Sequence, residues 1–234
     1  MDATYEPGKQ QARASNHKNL AQRLALHVLT DHGWSRGRDI LTVASAAIDG
    51  GATGIQLRNK TASTRLLVQE GQALRRLTRE RGALLIVNDR IDVALAVDAD
   101  GVHIGHDDDM PARLARQLLG PERILGISAG NLEEASIAFA ADADYLSIGP
   151  IHPTPTKADA GPAIGTHLLA ELAALYETPL IAIGGISAEN VGEIIQVGAV
   201  GVAVISTVVG AEDITSAARR LSTAIQDALT KRNK

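Results

Sequence analysis

The sequence predicts one (βα)8 barrel of eight parallel strands. Three observations predict it. Short apolar runs recur eight times along the 234 residues, and stretches with helical spacing lie between them. The Gly-x-Gly-x-x-Gly turn of an open dinucleotide-binding sheet is missing after the first run. Apolar runs this short, alternating with helices, read as a parallel sheet covered on its outer face. Eight such units in a chain of this length point to closure.

Residues 1–19 (MDATYEPGKQQARASNHKN) are polar and aperiodic. They read as a disordered or loosely helical tail before a barrel domain at 20–234. The first strand is expected at 24–29 (LALHVL) and the second at 54–57 (GIQL), which runs into Arg58 and Lys60 before a helix at 62–81. The third, 83–87 (ALLIV), leads to Asn88, Asp89 and a helix beginning RIDVALAV. The fourth, 101–104 (GVHI), is followed by His106 and then Asp107, Asp108 and Asp109. The fifth, 124–127 (ILGI), ends at Ser128 and precedes a helix at 131–141. The sixth, 145–148 (YLSI), runs into GPIHPTPTKADAG, 149–161, ahead of a helix at 166–176. The seventh, 180–183 (LIAI), turns through Gly184, Gly185 and Ile186 into a helix at 187–197. The eighth, 201–205 (GVAVI), is followed by Ser206 to Val208 and a helix at 211–230.

Strands two, four, six and eight are entered through similar steps: GGATGIQL, VDADGVHI, ADADYLSI and VGAVGVAV. A small residue ends each helix and the strand starts at once. A period of two βα units suits a barrel whose interior layers are filled by alternate strands. Reuse of a good helix stop by chance is the other reading.

Composition excludes several functions. Hydrophobic residues make up 45% of the chain and aromatic residues 2%, so the core is built from Ala, Val, Ile and Leu rather than from base-stacking rings. A net charge of −4 without a basic run argues against nucleic acid and anionic membranes. With no cysteine, disulfides, thiolate nucleophiles and thiolate metal sites are excluded. No apolar run approaches a membrane-spanning length, and no signal peptide is evident, which favours the cytoplasm.

In a parallel barrel the chemistry sits in the loops after the strands. Arg58, Lys60 and Lys157 bring positive charge to that face, and Asp89 and Asp107 to Asp109 bring carboxylates. This mixture suggests a phosphorylated substrate held with a hard divalent cation, because magnesium is usually bound by one or two carboxylates plus phosphate oxygens. Taken singly, the aspartate run is also a helix N-terminal charge cluster, and Asp89 is also a helix N-cap. Gly184 and Gly185 offer a second anion site after strand seven, where backbone N–H groups can approach closely, or serve simply as turn residues. In the loop after strand six, Pro150, Pro153 and Pro155 stiffen a segment carrying His152, Thr154, Thr156 and Lys157. A stiff loop loses less entropy when its donors close on a polyanion. Thr154 and Thr156 are two apart and start in opposite directions, so the loop must curve to use both.

QLRNK, VNDRIDVALAVDADGVHIGHDD, GPIHPTPTKADAGPAIG and AIGGISAENV with GAVGVAVIS resemble the thiamine phosphate synthase family, in the same order, over about residues 24–210. The resemblance implies a (βα)8 barrel that joins a diphosphooxymethyl aminopyrimidine to a thiazole monophosphate and releases pyrophosphate. It implies that Gln56, Arg58 and Lys60 hold the pyrimidine diphosphate, with Asn88 as their partner and Ser128 as a contact on the pyrimidine side. Asp89 and Asp108 resemble magnesium ligands. Thr154 and Thr156 resemble thiazole phosphate contacts, Lys157 a pyrophosphate contact, and Gly185, Ile205 and Ser206 a second phosphate cradle. The chemistry implied is a dissociative displacement, in which Lys157, Arg58, Lys60 and Ser128 act on the reacting groups. The implied partners are these two small molecules, with a homo-oligomer possible.

Two positions depart from the family pattern: His106 stands where glutamine is usual, and Gly130 where histidine is usual. A thiazole tautomerase branch shares the barrel but lacks much of the diphosphate apparatus. Arg58, Lys60, Asp89, Asp108, Thr156 and Lys157 together favour the synthase. A catalytically silent phosphate-binding barrel is the second rival. His103 and His152 are acid–base candidates in either rival, though such histidines are more often structural.

Overall fold

A computed structural model describes residues 20–105, 110–156 and 161–232. Eight strands close into a barrel in sequence order: β1 Leu26–Leu29, β2 Gly54–Leu57, β3 Leu84–Asn88, β4 Gly101–Ile104, β5 Ile124–Ala129, β6 Tyr145–Ile148, β7 Leu180–Ile183 and β8 Gly201–Val204. Every neighbouring pair is parallel, and β1 closes on β8 with His27 opposite Ala203. The helices are α1 Ile40–Asp49, α2 Thr64–Arg81, α3 Ile91–Ala96, α4 Ala112–Leu119, α5 Leu132–Ala140, α6 His167–Leu175, α7 Val191–Gln196, α8 Ser206–Val209 and α9 Ile214–Arg232.

The apolar runs alternate as a closed barrel requires. Val28, Ile55, Leu85, Val102, Leu125 and Leu146 are buried in the layer shared with the helices. Leu29, Leu84, Tyr145, Ile181 and Ala203 form a separate buried cluster with Leu20 and Leu24. Two rings, His27 and Tyr145, pack edge to face at 6.0 Å. They fit because the neighbouring strands present glycine. A Cβ on Gly54 would lie 2.2 Å from the His27 ring, and one on Gly126 would lie 2.1 Å from Tyr145 Cζ. Small-to-large changes at such points force side chains off their rotamers.

The internal repeat is structural. Gly51, Asp98, Asp142 and Gly198 occupy the same place in the four steps, and all have positive φ (103°, 52°, 60° and 125°). The alanine after each is buried, and its N–H reaches back five residues, as in Ala52 to Ala47 and Ala99 to Ala94. This is the left-handed helix stop with its six-to-one bond. The following residue ties down the preceding odd strand: Thr53 Oγ1, Asp100 Oδ2 and Asp144 Oδ2 accept from Leu26, Leu85 and Leu125 N at 3.0, 2.8 and 2.8 Å.

Three differences from the sequence expectation stand out. β1 begins at Leu26 because residues before it form a helical turn, with Leu24 N donating to Leu20 O at 2.9 Å. α7 begins at Val191, not 187, because Asn190 Oδ1 accepts from Ser187 N at 2.8 Å and holds 187–190 as a turn. α1, α4 and α8 join the helices named from spacing; α8 is one turn long and too short to show a period. The tail 1–19 lies outside the described residues. No helix among the described residues is long and apolar enough to cross a membrane.

Candidate active site

The carboxyl ends of the strands surround a cavity of about 440 Å³. Gln56, Arg58, Lys60, Asn88, Asp89, Ser128, Thr154, Thr156, Gly185, Ile205 and Ser206 all line it. The structure therefore brings together every sequence-expected site residue that it describes. Asp108 and Lys157 lie outside the described residues, as do His106, Asp107 and Asp109.

One side of the cavity is built by β2 and β3. Gln56 is 2% exposed, and its Oε1 has no hydrogen-bond partner among the described residues. A buried acceptor left unmade is costly, so a ligand donor is the natural complement. Arg58 is held in place by Asp31, Nη1 to Oδ2 at 2.5 Å, and its backbone N–H donates to Thr30 Oγ1 at 3.0 Å. Lys60 has no hydrogen bond or ion pair of its ammonium among the described residues. Asp89 is not the N-cap of α3. That position is Arg90, and Asp89 itself has φ 64° with its N–H donating to His103 O at 2.8 Å. Aspartate tolerates the left-handed region better than most residues, and strain of this kind collects at functional sites.

The other side is built by β6, β7 and β8. The proline-rich loop curves as expected: Thr156 N donates to Thr154 Oγ1 at 3.2 Å, and the two hydroxyls lie 3.0 Å apart. Thr156 Oγ1 then meets Ser206 Oγ at 2.8 Å. The expected thiazole phosphate contacts and the expected second cradle are thus one site. Gly184 and Gly185 have φ 98° and 64°. Their carbonyls are tied behind the turn, Gly184 O by His152 N at 3.1 Å and Gly185 O by Asn190 Nδ2 at 2.9 Å. Thr207 Oγ1 donates to Ile186 O at 2.6 Å and joins this turn to the start of α8. Positive-φ glycines beside a helix N-terminus form an anion cradle.

His152 does not belong to this grip. Its Nε2 stands 3.3 Å from Glu193 Oε1 on α7, and it does not line the cavity. Among the described residues of this loop, Thr154 and Thr156 line the cavity together with Gly149 and Pro150. His103 does line the cavity, as a member of a hydrogen-bonded group. Its Nδ1 lies 3.1 Å from Tyr145 Oη and its Nε2 3.0 Å from Ser128 Oγ. Gly130 is not forced by packing. A Cβ there would meet only Glu134 Oε2, at 3.5 Å, and its N–H donates to the same oxygen at 2.6 Å. Sequence reasoning missed Asp31, Asn190, Thr207, Glu134 and Tyr145. Of these only Asn190 left a local signal, an Asn three residues after Ser187 in a turn after a strand.

The thiamine monophosphate synthase profile matches residues 26–208, from the start of β1 to α8. The chain belongs to the thiamine monophosphate synthase family. A thiamine-phosphate synthase of Roseiflexus sp. is 50% identical over 207 residues, 88% of this chain and 87% of that protein. One from Chloroflexus aurantiacus is 54% identical over 196 residues, 84% and 90% of the two chains. The solved thiamine phosphate pyrophosphorylase of Pyrococcus furiosus superposes with a TM-score of 0.83 at 43% identity, covering 90% of this chain and all of that one. The family's activity is that of a transferase of thiamine biosynthesis. The tautomerase and silent-binder readings have no comparable support among these relatives.

Proposed function

We propose that this cavity joins a diphosphooxymethyl aminopyrimidine to a thiazole monophosphate, giving thiamine phosphate and pyrophosphate. The observation that supports the reading is one cavity lined by Arg58, Lys60, Asn88 and Asp89 on its β2–β3 side and by hydroxyls and positive-φ glycines on its β6–β8 side. The β2–β3 side, with Arg58, Lys60, Asn88 and Asp89, takes the diphosphate. The β6–β8 side, with Thr154, Thr156, Gly185, Ile205 and Ser206, takes the thiazole phosphate. Gln56 Oε1 accepts from the exocyclic amine of the pyrimidine, and Ser128 contacts the same ring system.

The methylene carbon–oxygen bond breaks and its electron pair leaves with pyrophosphate. The thiazole nitrogen lone pair then forms the new carbon–nitrogen bond. No side chain acts as a nucleophile, in keeping with a chain that has no cysteine. Arg58, Lys60 and Lys157 stabilise charge growing on the leaving group, where preorganised donors lower the barrier most. Asp31 keeps Arg58 in register for this task. Holding both substrates in one walled cavity supplies proximity.

The residues fit a magnesium ion. Asp89 offers a carboxylate to the cavity beside Arg58 and Lys60, and magnesium is usually held by one or two carboxylates plus phosphate oxygens. Asp89 and Asp108 would hold the ion, and it would neutralise developing phosphate charge. A cytoplasmic location and assembly into a homo-oligomer belong to the same proposal.

The test is a coupled assay for pyrophosphate and thiamine phosphate. Both should form only when both substrates and magnesium are present. Turnover of a thiazole without the pyrimidine diphosphate, or tight binding of both without release of pyrophosphate, would replace this reading with one of its rivals.

A further inference from the structure

Three side chains on three adjacent strands form one hydrogen-bonded chain that ends in the cavity wall: Tyr145 on β6, then His103 on β4, then Ser128 on β5. Tyr145 is fully buried and does not reach the cavity, whereas His103 and Ser128 do. Its ring is clamped. It stacks on His103 at 5.6 Å and 24°, meets His27 edge-on, and occupies the space left by Gly126.

A buried phenol must place its proton on an acceptor. Among the described residues the partner of Tyr145 Oη is His103 Nδ1, at 3.1 Å. Burial raises the phenol's pKa, so it stays protonated. Tyr145 therefore donates and Nδ1 accepts. An imidazole that accepts at Nδ1 carries its proton on Nε2 and donates it to Ser128 Oγ, 3.0 Å away. With that lone pair engaged, the serine's own proton is free to face the cavity.

We propose that Tyr145 is a positioning residue that fixes the direction of this chain, so that Ser128 offers a hydrogen-bond donor to a lone pair of the pyrimidine diphosphate. The inference rests on the proposed function for the identity of the ligand, but the direction of the chain is a property of the free protein. Without the phenol, the other tautomer becomes accessible. Nε2 would then accept from Ser128 and draw its proton away from the ligand.

Two measurements test this. In the full chain labelled with ¹⁵N-histidine, His103 Nδ1 should show an unprotonated, pyridine-like shift and Nε2 a protonated one. A protonated Nδ1 in the free protein overturns the proposal, whether or not the chain makes thiamine phosphate. Tyr145→Phe keeps the ring and its packing but should mix the tautomers. It should lower kcat about two- to tenfold, the worth of one neutral hydrogen bond, and leave the KM for thiazole phosphate unchanged. In a Ser128→Ala background the same change should cost less than about twofold, since coupled residues are non-additive. An equal loss in both backgrounds means that Tyr145 does not act through Ser128. Failure of the wild type to form thiamine phosphate would sink the function, while the spectrum would still decide the direction.

Discussion

Gly185→Ala separates the cradle's chemistry from its packing. Gly185 has φ 64°, and a Cβ there would lie 2.7 Å from His152 Cβ and 2.8 Å from Pro153 O. The left-handed conformation costs an L-residue roughly 1–2 kcal/mol. Carbon atoms prefer separations of about 3.5–4.0 Å, so the contact is short by about 1 Å. Overpacking of this kind adds about 1–3 kcal/mol. The folded state should lose about 2–5 kcal/mol, with Tm falling about 2–4 °C for each. The turn relieves the overlap by shifting, which carries the Gly185 N–H away from the anion. Loss of one charge-assisted hydrogen bond, worth about 1.5–3 kcal/mol, raises the KM for thiazole phosphate roughly 10- to 150-fold. Gly82→Ala is the control. It has φ 69° at the end of α2, but nothing lies within 4 Å of a Cβ there, so it should cost stability and leave both KM values unchanged. Steady-state kinetics with each substrate varied in turn decide the matter. A KM for thiazole phosphate within twofold of wild type, or a rise confined to the pyrimidine diphosphate, would refute the assignment of this turn.

Asn190→Ala removes the bonds to Gly185 O and Ser187 N without touching the cavity wall, and should raise the KM for thiazole phosphate about tenfold at unchanged kcat. Lys157→Ala should lower kcat about 100-fold, because its ammonium meets charge that grows on the leaving group; a change in KM alone would remove that role. His27 is buried and its pKa is lowered from 6.5 to about 4 by desolvation. Its unfolded form binds a proton that the folded form refuses, so its share of stability is complete above pH 6.5 and is lost as pH falls toward 4. The loss amounts to about 3 kcal/mol. His27→Leu should flatten that part of the urea-denaturation profile, and a profile parallel to wild type would show that His27 is not its source.

The barrel was legible because its signals are local. Each strand is a contiguous apolar run, and the four helix stops share a glycine or aspartate that accepts positive φ. The site's outline was legible for the same reason, since strand ends can be counted along the chain. What escaped were contacts made across the fold. Asp31 meets Arg58 from another strand end, and Tyr145 reaches His103 over 42 residues. No spacing rule in one sequence joins such pairs. The preference for a structural role at His152 agrees with the fold, but its neighbour Glu193 of α7 is known only once the helices are packed. Asp89 reads locally as a cap, but its backbone bond to His103 O places it at the cavity instead.

The most direct test of two anion sites in one cavity is a crystal structure with thiamine phosphate, pyrophosphate and magnesium bound together. The phosphate ester should lie within hydrogen-bonding reach of the Gly185 N–H and of the Thr156 and Ser206 hydroxyls, with pyrophosphate beside Arg58, Lys60 and Asp89. Density with the two anions exchanged, or both anions on the β6–β8 side, would contradict the account.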